Sequence, residues 1–494
     1  MKEMKLQKKF RMIVVSAAMA LSVAAVHAQD QTGDTRSVNP IPPISSTDSG
    51  ADSGSGKRPI PAAHGVFTPY ADQAYDPSQV EPDTNTLSGA EVFGVGSLQH
   101  SRDVFDPFLS VTALGQSGIV GTTGQTGLHA TTLVGGGLNF NQIWSRYHFT
   151  ATYTGGETLY YGFQPNTMFH NLAVSQDIEW RRWRVHLRDN FVASPGAVFT
   201  GSGMGGPGLI GEFSSTLANS LNTVGQSFQP SETIQTGQAM RYMNAVVGEA
   251  EYSFSRRSAF TVSGSYGLLH FTDPGYIDSH MFNAQAGYDY LLDPKNSVAV
   301  LASYGKIDYT ETSNSTVDYL ADLAFGRKIT GRLAFQAAAG PQQIRVTSAA
   351  IGNFQLWTWS ANTALTYERR RSGISVAFVR GLTGGSGVFF GARSNTFSGS
   401  LHHQFTRFWS ASVIGGYALN TSLAPTGAAT SSFNTWLLGA NVGRQLGRHA
   451  QVGFNYGLLK QVNPAVCPVT SCGVAGFQQS FGMTVNWHLF PILE

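Results

Sequence analysis

Arg184, His186 and Arg188 alternate with Val185 and Leu187 in the stretch WRVHLRD at 183–189. Glu249 and Glu251 alternate in the same way in VVGEAEYSF at 246–254, and Asp177 and Glu179 stand two residues apart just before the arginines. Charges spaced by two share one face of an extended strand. A face bearing acids on some strands and bases on another suits a hydrated path for polar solutes. The spacing recurs more sparsely with Asp289 in FNAQAGYDYLL (282–292), with Asp318 and Asp322, and with Glu368 ahead of Arg369–Arg371.

Other residue types suggest catalysis and fall short of it. His402 and His403 in LHHQF and His488 in NWHLF are bases by type. Nucleophilic catalysis also needs a nucleophile and a group that orients the base. No Ser or acid stands with these histidines at an informative spacing, so they are read as lumen or interface residues and no enzyme activity is expected. There is no Walker loop, dinucleotide fingerprint or metal cluster, and no cofactor is expected. Cys467 and Cys472 in VCPVTSC are the only two cysteines. Their spacing also occurs in metal sites, but a full ligand set is missing, and a disulfide is the reading that suits an oxidising compartment.

The charged faces need strands to carry them. In 246–254, Val246, Gly248, Ala250, Tyr252 and Phe254 share one side. In 282–292, Phe282, Ala284, Ala286, Tyr288 and Tyr290 do so, as do Phe481, Met483, Val485, Trp487 and Leu489 in SFGMTVNWHLF. A helix needs apolar residues recurring every three and four positions, and the interior glycines would weaken one further.

Composition agrees with an unusual environment. Only 13% of the 494 residues are charged, about half the usual soluble share, while 56 are Gly and 12% are aromatic. A formal charge of +2 gives no electrostatic case for nucleic-acid binding. Residues 1–28 read as a secretory signal: Lys2, Lys5, Lys8, Lys9 and Arg11 precede an apolar stretch, Met12 to Val26, and a Val-His-Ala cleavage site. Its loss removes five positives and Glu3, taking the charge from +2 to −2. Residues 29–103, with NPIPPISSTDSGADSGSGKRPIP, are too rich in Pro, Ser and Gly to bury a core and read as a disordered periplasmic leader. Period-two alternation then fills 104–494, where no apolar run is long enough for a spanning helix.

Short charged turns punctuate this region at 142–146, 181–183, 255–258, 293–296, 327–332, 369–373, 406–408 and 444–448. Longer loops, rich in Gly, Ser, Thr, Asn and Pro, lie at 118–129, 161–167, 194–240, 272–278, 311–315, 346–352, 383–393, 421–432 and 462–477. Eight turns and nine loops in strict alternation join 18 strands, with every short turn at one end. The fold expected is all-β: a closed, antiparallel, up-and-down transmembrane β-barrel of about 18 strands behind a disordered N-terminal leader. Closure follows because lipid forbids open sheet edges. One face then meets lipid and the other a water-filled lumen. Tyr252, Phe254, Tyr290, Phe325, Tyr367, Phe405 and Trp487 gather near the turns, and Tyr153, Tyr266, Tyr304, Tyr417 and Tyr456 near the loops, as two interfacial girdles. The lumen candidates are Asp177, Glu179, Arg184, Arg188, Glu249, Glu251, Asp289, Asp318, Asp322 and Glu368. Arg380 shares the lipid-facing parity, near the outer rim, where such charges cost little.

In its pattern, 104–494 resembles the bacterial outer-membrane β-barrel superfamily. FGMTVNWHLF resembles that superfamily's C-terminal assembly signal, although Pro491–Glu494 follow Phe490. The turn-centred repeat is similar to that of exopolysaccharide-export barrels. The resemblance implies location in the cell outer membrane, with lipid, lipopolysaccharide and the barrel-assembly machinery as partners. Passive diffusion of small polar solutes is the expected function. A polysaccharide exporter tied to periplasmic partners through the leader, and a structural or enzymatic barrel, are the alternatives. The segment 194–240 is expected either to fold inward as a constriction, selecting by size, or to cover the mouth.

Overall fold

The structure, a computed structural model, describes residues 104–120, 125–143, 146–161, 165–195, 234, 239–255, 257–293, 295–310, 312–348, 352–369, 371–385, 387–406, 408–424, 430–462 and 476–489. Residues 1–103, where a signal and a leader are expected, and Cys467 and Cys472 lie outside them. Eighteen strands follow in order: β1 (Val104–Val120), β2 (Gln125–Ile143), β3 (Tyr147–Tyr160), β4 (Thr167–Glu179), β5 (Trp183–Pro195) and β6 (Met240–Ser253). Next come β7 (Ser258–Phe271), β8 (Ser279–Asp293), β9 (Asn296–Tyr309), β10 (Ser315–Thr330), β11 (Leu333–Thr347) and β12 (Phe354–Arg369). The last are β13 (Ser372–Thr383), β14 (Ala392–Gln404), β15 (Trp409–Ser422), β16 (Ser432–Leu446), β17 (Ala450–Val462) and β18 (Gly476–His488).

Each strand pairs antiparallel with its sequence neighbours, and β1 pairs with β2 on one side and β18 on the other. The sheet therefore closes on itself. The closing seam runs from Phe108 opposite His488 to Gly118 opposite Gln478. Lumen side chains reinforce it. Thr112 and Thr484 share a 2.9 Å hydroxyl bond, the Asn455 amide donates to Thr484 at 2.8 Å, and the Asn441 amide donates to Asn455 at 2.5 Å. At the short-turn end the His488 ring lies 3.0 Å from both carboxylate oxygens of Asp106.

The alternation seen in the sequence is the alternation of the wall. On β7, Thr261, Ser263 and Ser265 are buried inward, while Phe260, Val262 and Tyr266 are exposed outward. On β18, Phe481, Met483, Val485 and Trp487 face out, and Ser480, Thr484, Asn486 and His488 face in. Large apolar side chains exposed in such rows are a surface made for lipid. Leu323 on β10 is 70% exposed. Tyr153, Tyr266 and Tyr456 near the loops, and Phe254, Tyr290, Phe405 and Trp487 near the turns, project from the same outer face and form the two girdles.

The short turns use local chemistry. In the 293–296 turn, Asp293 accepts from the Lys295 and Asn296 amides at 2.7 and 3.0 Å and from the Asn296 side chain at 2.7 Å. Beside this turn and the β10–β11 turn the register slips, between Leu291 and Asp293 and between Lys328 and Thr330. The first outer loop is shorter than expected. Its predicted span of 118–129 shrinks because β1 and β2 continue pairing to Val120 opposite Gln125. Gly118 and Gly127 pair within that ladder, so glycine there marks strand and not loop.

We expect Leu323→Arg to destabilise the barrel in lipid vesicles by about 2–4 kcal/mol, the cost of an arginine near the bilayer midplane. Ser398→Arg, on the lumen face of β14, should cost far less. Urea unfolding followed by tryptophan emission distinguishes the two, and equal costs would contradict the assignment of faces.

Candidate functional site

The lumen charges are set by register. Asp177 on β4 stands opposite His186 on β5, which stands opposite Glu249 on β6. One pleat nearer the short turns, Glu179, Arg184 and Glu251 form a second row. The Asp177 carboxylate accepts from His186 Nδ1 at 2.8 Å and lies 3.7 Å from His148 Nδ1 on β3. The Nε2 of His148 is 2.6 Å from Asn141 Oδ1. Arg184 reaches both neighbours, 3.8 Å to Glu179 and 3.7 Å to Glu251, and Glu251 is only 1% exposed. Acids and bases thus alternate across four adjacent strands, so each of these acids lies beside a base. Arg188 continues the face one pleat further from the turns, in register with Ser175 and Val247.

A second group of acids lies on β8 and β10. Asp289 is buried opposite Ala259 and Ala299. Asp318 accepts from Gln342 at 3.0 Å, and Asp322 accepts from Ser360 Oγ at 2.6 Å. The second contact skips a strand, from β12 to β10. It is possible because the β10–β11 ladder lapses between Leu320 opposite Gln342 and Leu323 opposite Ala339. Pro341 has no N–H to offer there. A Cβ on Gly340 would strike the Ala321 carbonyl and the Asp322 carboxylate. Glycine beside proline therefore makes the recess in which Asp322 lies, and Ser360 also donates to Gly340 O at 3.2 Å.

Above these charges the β13–β14 loop turns inward. Its described residues 384–385 and 387–391 reach β7 and β9 and the loop between β7 and β8. The Ile277 amide donates to Gly387 O at 2.8 Å. Gly387 has φ of +74°, and a Cβ there would strike the Phe271 ring, so both its conformation and its contact require glycine. Val388 and Phe389 are buried with Ile234, Ala392 and Phe433. Phe390 and Leu382 pack against Ile277, Met281, Ile307 and Tyr309. An apolar constriction thus overlies a polar lumen.

The sequence-derived candidates sort as follows. Asp177, Glu179, Arg184, Glu249 and Glu251 meet in one patch, with Arg188 beside it. Asp289, Asp318 and Asp322 face the lumen apart from it. Glu368 holds its place on β12 opposite Gly373, and its side chain lies outside the described residues. The segment 194–240, expected either to constrict the lumen or to cover its mouth, falls almost wholly outside the described residues, except that Ile234 joins the apolar cluster. The inward segment seen here is 384–391, whose parent loop, 383–393, the sequence marked only as an outer loop. Its three close apolar residues, Val388, Phe389 and Phe390, were the available signal. His402 and His403 do not converge: His402 faces the lumen, whereas His403 is on the other face, its Nδ1 2.7 Å from Ser372 Oγ. Arg380 keeps its outward parity and stacks 4.1 Å over the Trp359 ring.

A closed antiparallel wall with an apolar outside, two aromatic girdles and a polar lumen defines an outer-membrane β-barrel. No protein-family profile and no curated protein sequence matches the chain. Among solved structures, OpdQ of Pseudomonas aeruginosa aligns at 8% identity and a TM-score of 0.38, over 79% of this chain and 99% of that one. OccK2 (OpdF) of the same species, in complex with glucuronate, aligns at 9% and 0.39, over 78% and 98%. BauA, the ferric preacinetobactin receptor of Acinetobacter baumannii, aligns at 8% and 0.35, over 78% and 80%.

Ser360→Ala should destabilise the barrel by about 1–3 kcal/mol, the cost of leaving a buried carboxylate without its donor. The double variant with Asp322→Ala should recover most of that loss. Urea titration of the four species closes the cycle, and full additivity would contradict the coupling.

Proposed function

We propose that this protein is an outer-membrane channel for passive diffusion of small polar solutes through its lumen. The observation that carries the reading is the polar, charge-bearing interior of a closed 18-stranded wall. Barrels of that strand number enclose an aqueous path. The inward loop sets the width of the mouth with apolar groups, a form of constriction that governs passage through its wetting. Along the lumen, the acids on β4, β6, β8 and β10 outnumber the arginines at 184 and 188 and, level with the loop, at 241, which favours cations over anions. The girdles meet outer-membrane lipid and lipopolysaccharide, the last strand engages the assembly machinery, and residues 29–103 tether periplasmic partners.

Conductance in a planar bilayer tests this reading. The full chain should give step-like openings. Replacing residues 385–390 by Gly-Gly should raise the unit conductance, and a barrel silent in both forms would overturn the proposal. Under a salt gradient, Arg184→Gln should move the reversal potential further toward cation selectivity, because it leaves Glu179 and Glu251 without their shared base.

A further inference from the structure

The wall is not knit equally at every seam. The β10–β11 ladder reaches Ser315 opposite Thr347, and the β14–β15 ladder reaches Ala392 opposite Ser422, so both run to the loop ends of their strands. Between β12 and β13 the ladder stops at Ala361 opposite Arg380. Beyond it, β12 continues through Ser360 to Phe354, paired only with β11. On the other side, β13 continues through Gly381 to Thr383, paired only with β14. The two strands part in their loop-side portions because the β13–β14 hairpin leans into the lumen, carrying Val388 and Phe389 to the apolar cluster.

Side chains hold the seam where main-chain pairing ends. Arg380 Nε donates to the main-chain oxygen of Trp359 at 3.2 Å, so the guanidinium takes the place of a ladder donor. Its other nitrogens reach Asn395 Oδ1 at 2.7 Å and Thr358 Oγ1 at 3.5 Å. Among the described residues no carboxylate pairs with Arg380, so none of them neutralises its charge at the rim. On the opposite, lumen face of β13 the next residue, Gly381, leaves open space, since a Cβ there would meet no atom within 4 Å. Above it the lining is apolar. Leu382, Phe354 and Leu356 pack on Ile344, Val346 and Leu423. Leu382 also belongs to the cluster of Ile307, Tyr309 and Phe390, so one apolar surface runs from the mouth to the seam. Trp357 and Trp359 flank its outer side, exposed at 66% and 49%.

We propose that the β12–β13 seam is a lateral portal onto the outer leaflet for an anionic amphiphile. Its apolar chain lies along Leu382 and Leu356, and its acid head is held by Arg380. An unneutralised guanidinium at the vertex of an apolar cleft complements a single negative charge on a hydrocarbon chain. Asn395 supplies a second polar contact at the same vertex. The route is separate from the axial path and stands whether or not that path conducts.

Photolabelling of the full chain in phosphatidylcholine vesicles tests the proposal. The probe is dodecanoate carrying a diazirine near the chain end, and the comparison is the matching dodecanol. The acid should label Leu356 and Leu382 saturably, and unlabelled dodecanoate should compete. Arg380→Ala, checked for folding by heat-modifiable migration, should weaken labelling roughly tenfold, the effect of losing one charge-assisted hydrogen bond. Arg380→Lys should restore part of the acid's preference. Label confined to Trp357 and Trp359 on the lipid face would overturn the portal. So would equal labelling by acid and alcohol in the unmodified protein, a comparison that needs no variant to fold.

Discussion

Hydrocarbon offers no hydrogen bonds, and the rest of this structure follows from that. Every N–H and C=O in the wall must find a partner in the protein, so the sheet has to close. Closure joins the first strand to the last, across a separation of several hundred residues. The chain of contacts from Thr112 through Thr484 and Asn455 to Asn441 crosses that join on the lumen side. Asp106 and His488 fasten its short-turn end. These polar residues can be spent on the join because their face of the wall meets water and not lipid.

The same division explains where the charges are. An ion facing the bilayer midplane pays for its dehydration, whereas one facing the lumen keeps water or finds a partner. Register then decides which partners meet. Asp177, His186 and Glu249 fall in one row, and Glu179, Arg184 and Glu251 in the next, because three consecutive strands present their inward residues in step. Asp322 reaches its donor differently. Its recess exists only because Gly340 and Pro341 interrupt a ladder, which lets Ser360 approach from two strands away.

Much of this was legible in the sequence, for a physical reason. A period of two is a local property, so side-chain parity can be read without knowing any partner. Parity placed Asp177, Glu251 and Asp318 in the lumen and Phe481 and Trp487 outside it. The alternation of charged short turns with longer, charge-poor loops supplied the strand number. Contacts that depend on distant segments were not legible. Nothing near Asp322 announces Ser360, 38 residues away. In the β13–β14 loop only the apolar run Val388–Phe390 hinted at an inward turn, and its partners Ile234, Ile277 and Phe433 lie too far off in the chain to be read from it. Glycine also misled at the first loop, where Gly118 and Gly127 belong to paired strands.

Arg380 joins these two lines of argument. By parity it is an outward arginine, and by cost alone it belongs near the rim. Its position acquires a reason only from the inward loop. Once the β13–β14 hairpin leans toward the lumen, β12 loses its partner on that side, and main-chain groups are exposed at the level of the outer girdle. A guanidinium is suited to the gap because its planar donors can bond a carbonyl while its face lies on an indole. The contacts to Trp359 O and the Trp359 ring are of these two kinds. The constriction at the mouth and the weak seam in the wall are therefore one feature seen from two sides. The chain that narrows the axial path is the chain withdrawn from the ladder, so any change that returns one to the wall must also widen the other.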